Sequence, residues 1–106
     1  MKRRAGEGED YGDSLDGLAD ALRGLDDRAQ VRAFLEDLCT PAELEAMTDR
    51  WRVVPLLVEG VPYREIHDRT GVSVTTIGRV ARTLDRGAGG YAAAIDRLSP
   101  AALRRG

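Results

Sequence analysis

One cysteine, Cys39, leaves the chain unable to form an internal disulfide framework, and one histidine, His67, leaves it without a second His or a second Cys for a metal cluster. Aromatic residues make up only 5%. Long apolar runs are absent too. The longest, Val53 to Val58, is interrupted by Pro55 and falls far short of the roughly 20 residues that cross a bilayer. Met1-Lys2-Arg3-Arg4 is basic, but no apolar segment follows it, so a reducing cytoplasm is the expected compartment and no membrane partner is expected. The glycine cluster at 87–90 follows a helical pattern instead of a strand, which makes it a linker and no phosphate loop. Cys39 and His67 could serve catalysis only if paired and oriented by a third group, so no enzymatic activity and no cofactor are expected. At 106 residues the chain suits one domain. A domain this small has little room for a deep enclosed pocket, which favours a binding module whose core self-association would enlarge.

What is present is charge, and it is divided. Residues 1–60 carry 8 Lys/Arg against 14 Asp/Glu, a net of −6, whereas residues 61–106 carry 8 Arg against 4 acids, a net of +4. The overall −2 hides a basic half suited to a polyanion.

Residues 1–12 are rich in glycine and charge and poor in aliphatics, and are expected to be a flexible tail. From residue 13 to 98 the periodicity is helical throughout. Leu15, Leu18, Ala19, Leu22 and Leu25 form one stripe that ends near Gly24; Val31, Phe34, Leu35 and Leu38 form another, capped by Asp26 or Asp27 and stopping near Cys39. Thr40-Pro41-Ala42-Glu43 carries the signature of a helix start, with proline at the first helical position. The helix it opens has apolar Leu44, Met47, Trp51, Val54 and Val58 and runs toward Gly60. Pro55 lacks an amide proton and crowds the carbonyl of Trp51, at a cost of about 3 kcal/mol, so a kink or break is expected there. A short helix from Pro62 to Thr70, a left-handed Gly71 and a helix capped by Ser73 and ending about Asp85 come next, followed by a last helix over 91–98 and a short tail, 99–106.

Residues 62–85 therefore read as a helix-turn-helix, with Ile66, Gly71, Val72, Ile77, Val80 and Leu84 supplying the apolar contacts and one permissive backbone position. With Thr75 at zero and about 100° per residue, Val74, Ile77, Val80, Ala81 and Leu84 fall between about 140° and 260°, and Arg79, Arg82 and Arg86 within about 40° of Thr75. The second helix thus has one apolar and one cationic side. A major groove admits such a helix, which makes double-stranded DNA the expected partner. Thr75 and Thr76 are the expected base readers, with Ser73 beside them. Arg79 and Arg64 are placed for a base edge or a phosphate, and Arg82 and Arg86 for phosphates.

These segments resemble the Trp repressor superfamily, and more closely its bacterial YerC/YecD-type branch. The resemblance runs from about Leu22 to Leu98, through FLEDLCTPAELEAMTDRWRVVPLLVEG at 34–60, YREIHDRTGVSVTTIGRVARTL at 63–84 and GGYAAAIDRL at 89–98. It implies an all-α, intertwined homodimer in which the N-terminal helices of both chains build a shared core and two helix-turn-helix units meet successive major grooves, as a transcription regulator, in particular a repressor. The third helix would then lie in the dimer core, with Met47, Trp51 and Val54 as packing residues. Thr40, Arg50 and Arg79 match positions that line the tryptophan site of the classical repressor. Val80 stands where that repressor has a glycine that leaves room for the indole, and Thr83 where it has a serine that meets the ligand's amino group. The valine would fill the space, so tryptophan gating is not expected, and no other small effector is indicated. His67 stands where closer relatives have a small alanine at the helix crossing; as the only histidine it is expected to be structural or exposed, and it could touch a phosphate. Two other readings stay open: a dimeric protein-interaction module using the acidic half, and a tryptophan-gated repressor.

Overall fold

The computed structural model describes residues 7–98 together with Leu103. Among them there are six helices and no strand: α1 (Glu7–Arg23), α2 (Arg28–Leu38), α3 (Pro41–Val58), α4 (Tyr63–Thr70), α5 (Val74–Arg86) and α6 (Gly90–Arg97). No helix among the described residues is long and apolar enough to cross a membrane. Length alone favours one domain over 13–98, but the backbone divides into two compact units, one up to Thr40 and one from Pro41. The division falls at an X-Pro step, where the residue before proline is steered away from helix and toward extended backbone.

The first unit holds α1 and α2. Of the residues expected to form a flexible tail, 7–12 are helical, because α1 begins at Glu7; residues 1–6, and the tail expected at 99–106 apart from Leu103, lie outside the described ones. Helix nucleation is costly and propagation is cheap, so a nucleus under the Leu15–Leu22 stripe can extend into a segment that would not start a helix itself. Of the two candidate caps for α2, Asp27 is the one used: its carboxylate accepts from the Ala29 amide at 2.9 Å, and its backbone is extended. Cys39 ends the helix as expected, with its amide donating to the Leu35 carbonyl. No described side chain of this unit is buried, and Tyr11, Leu15 and Leu38 are half or more exposed.

The second unit has the core. Val53, Val54, Ile66, Val72, Ile77 and Val80 are buried, and Trp51, Leu56, Leu57, Val61, Leu84, Tyr91 and Ile95 pack around them. Trp51 faces Tyr91 with ring centroids 6.4 Å apart and planes tilted by 37°, an aromatic pairing that ties α3 to α6. Met47, expected as a packing residue, is 38% exposed within the single chain.

Of the kink or break expected at Pro55, the break does not occur. Helix α3 runs continuously from Pro41 to Val58 with Pro55 inside it. Val53, Val54 and Pro55 are all buried, an arc of about 200° at 100° per residue, so the helix is enclosed on most of its circumference. Packing of that extent offsets the roughly 3 kcal/mol that an interior proline costs.

Helix ends in this unit are set by glycines with definite tasks. Gly60 and Gly71 have φ of 83° and 78°, in the left-handed region that glycine enters without strain. Gly87 ends α5 for a different reason: a Cβ there would lie 2.5 Å from the Thr83 carbonyl oxygen, which already accepts from the Gly87 amide.

Candidate nucleic-acid interface

Helices α4 and α5 are joined by Gly71-Val72-Ser73, a turn held by several hydrogen bonds. The Gly71 amide donates to the His67 carbonyl at 2.8 Å. Thr70 Oγ1 donates to the Ile66 carbonyl at 2.7 Å and accepts from the Val72 amide at 3.1 Å. His67 reaches across the turn so that its Nδ1 lies 2.7 Å from the Val72 carbonyl oxygen. A carbonyl can only accept, so the proton sits on Nδ1 and the ring orientation is fixed. His67 is thus a strut of the turn while remaining exposed, which agrees with the structural or exposed role expected of it.

Ser73 caps α5 as the sequence indicates. Its Oγ accepts from the Thr76 amide at 3.1 Å and donates to Thr76 Oγ1 at 3.0 Å. Ser73→Ala is expected to lower stability by about 1 kcal/mol, measured as a shift of the urea midpoint at constant slope.

Beyond the cap, α5 separates its two faces sharply. Ile77 and Val80 are buried beside Ile66 and Val72, whereas Thr75, Arg79, Arg82 and Arg86 are exposed. Thr75 and Thr76, expected to act together as readers, differ: Thr75 is exposed, and Thr76 is half-buried with its hydroxyl engaged by Ser73. Arg79, Arg82, Thr83, Arg86 and Gly87 line a shallow depression of about 450 Å³. Arg86 makes a surface ion pair with Asp85 at 3.5 Å, whereas neither Arg79 nor Arg82 pairs with any described residue. Arg64 lies on the first turn of α4, exposed, beside the start of α5.

The residues matched to a tryptophan site are distributed differently. Arg50 is exposed on α3, Thr83 lies on the exposed side of α5, and Val80 is 1% exposed inside the core. Thr40 closes the first unit. Among the described residues, no three His, Cys, Asp or Glu side chains gather as a metal site.

An all-helical bundle presenting one helix-turn-helix with a cationic outer face defines a class, and comparison with known proteins places the chain in it. Residues 13–99 match the family model of the Trp repressor protein, and the chain belongs to that family. It is 38% identical over 87 residues to YerC of Bacillus subtilis (strain 168), a protein without a characterised function, covering 82% of this chain and 84% of the relative. Among solved structures it is similar to a candidate Trp repressor from Staphylococcus aureus, with a TM-score of 0.76 and 33% identity over 89% of this chain and 94% of that one. The expected resemblance and the all-helical fold are therefore borne out.

Proposed function

We propose that the protein is a sequence-specific DNA-binding transcription regulator, acting as a homodimer and most simply as a repressor, whose α5 enters the major groove. The observation that carries this reading is the two-sided α5: an apolar side sealed into the core, and an opposite side with Thr75, Arg79, Arg82 and Arg86 exposed in one row. Thr75 is positioned to read a base edge, Arg79 and Arg64 to meet a base or a phosphate, and Arg82 and Arg86 to meet phosphates. Ser73 and Thr76 serve chiefly by fixing the start of the helix that carries Thr75. Membership of the Trp repressor family supports the same reading.

Homodimerisation is supported by the first unit, which leaves Tyr11, Leu15 and Leu38 exposed and none of whose described side chains is buried. Two helices in that condition gain stability only from further apolar cover. Tryptophan is not the signal in this reading. Val80 occupies the position of the classical repressor's glycine and is itself part of the core. Through its affinity for DNA the protein would be found with the nucleoid in the cytoplasm.

Selection from random duplexes by the purified protein, with and without tryptophan, tests the proposal. Enrichment of a near-palindrome with half-sites about one helical turn apart, equal in both conditions, is the expected result. Enrichment only with tryptophan would refute the ungated form. No enrichment by a folded dimer at moderate salt would refute DNA reading itself and favour a protein-interaction module.

A further inference from the structure

Val74 is the first residue of α5, and a helical wheel assigns it to the apolar side with Ile77 and Val80. It is nevertheless 50% exposed. It borders a cleft of about 460 Å³ between α4 and the start of α5, lined also by Tyr63, Arg64, His67 and Asp68. Tyr63, the other large apolar side chain there, is 42% exposed. Single exposed apolar residues are ordinary on protein surfaces, but two that share one cleft with an arginine and a carboxylate make a chemically specific surface.

The chemistry of the cleft indicates what it takes. The carboxylate of Asp68 disfavours a phosphate, because the two anions repel. A base edge suits the same walls. Arg64 can donate to guanine O6 and N7, Asp68 can accept from cytosine N4, and an exposed aliphatic group has one counterpart in the major groove, the C5-methyl of thymine. Outside the cleft, Arg79, Arg82 and Arg86 continue along α5 as a row of cations, so a duplex held by its backbone there would bring base edges to the start of the helix. The turn also keeps Val74 in place. Ser73 is fixed by its two bonds to Thr76, and His67 is held by the Val72 carbonyl.

We infer that Val74 is a specificity-determining residue that packs on a thymine methyl in the major groove, next to the base contacted by Thr75. This rests on the DNA-binding reading above. The methyl is the one group that distinguishes thymine from uracil, so it can be removed without disturbing base pairing. The test uses the tightest duplex from the selection, with each thymine replaced in turn by deoxyuridine, against the wild-type protein and Val74→Ala.

At one position in each half-site, uracil is expected to weaken wild-type binding about fourfold, the transfer value of one buried methyl. For Val74→Ala the ratio at that position is expected to fall close to one while the melting temperature is unchanged. Equal wild-type affinity for thymine and uracil at every position would overturn the inference and leave DNA binding intact. Full discrimination retained by Val74→Ala would also overturn it. Failure of the wild-type protein to bind any duplex at low salt would remove both the inference and the reading on which it rests.

Discussion

Removing Arg82 and Arg86 together, as alanines, is expected to weaken binding to every duplex, whatever its sequence, and to flatten the dependence of affinity on salt. Each phosphate contact contributes a slope of about 0.9 in log affinity against log salt, through release of condensed counterions. Two lost contacts lower the slope by about 1.8 for one chain and about 3.6 for the proposed dimer. Between 50 and 200 mM salt the single-chain change alone corresponds to about a tenfold difference in how steeply affinity falls. The fold should be indifferent to the change, since both side chains are exposed and the contact between Arg86 and Asp85 is a surface pair of the kind that adds little. Titration of labelled duplex at several salt concentrations, with circular dichroism as the fold control, measures it. An unchanged slope would mean that the cationic side of α5 does not face DNA. A change at Thr75 should act otherwise, altering the order of preference among sequences while leaving the salt slope intact.

Ile77→Ala is expected to act through the opposite side of the same helix and to cost about 3 kcal/mol. Ile77 is fully buried in the cluster formed with Val53, Val54, Ile66, Val72 and Val80, so truncation loses transfer free energy and leaves a cavity that close-packed neighbours fill only in part. For a small domain whose whole stability is on the order of 5–15 kcal/mol, that is a large fraction. The denaturant midpoint should drop at constant slope, and the milder Ile77→Val should cost about 1 kcal/mol. A loss below about 1 kcal/mol for the alanine variant would mean that α5 is not seated on this core. The two substitutions separate the roles of the helix: the arginine variant stays folded and loses affinity, and the isoleucine variant loses stability first.

Much of this arrangement is legible in the residues alone, because each signal is local. Thr40-Pro41, Gly71, Ser73 and the glycines at 87–90 act through backbone geometry and capping within a few residues, and the helices begin and end within a residue or two of where these place them. The periodicity of α5 separates Ile77 and Val80 from the arginines correctly because both lie mid-helix, with neighbours on either side. The misreadings have separate causes. Pro55 breaks a helix in isolation, but here it is surrounded by packed side chains from other elements, which no local rule contains. Val74 has the angular position of a core residue but stands at the helix start, where its neighbours are too few to cover it. Thr76 looks equivalent to Thr75 until the Ser73 hydroxyl claims it. The start of α1 follows from propagation of a helix nucleated downstream, in a segment whose composition argues for coil. The cleft bordered by Val74 depends on how α4 and α5 are juxtaposed, and periodicity along one helix carries no information about that.

The division of α5 has one more consequence. Ile77 and Val80, which anchor the helix, and Thr75, Arg79 and Arg82, which face outward, are separate sets of positions with no member in common. Substitutions can therefore accumulate in one set without debt to the other. If the proposed function holds, a lineage of such proteins could drift from operator to operator by changing the few base-facing residues on an unaltered scaffold. A combinatorial library randomised at 75 and 79, with the phosphate-facing Arg82 and Arg86 retained, should yield mostly folded members, so that failure to bind in such a screen reports on recognition and seldom on collapse of the domain.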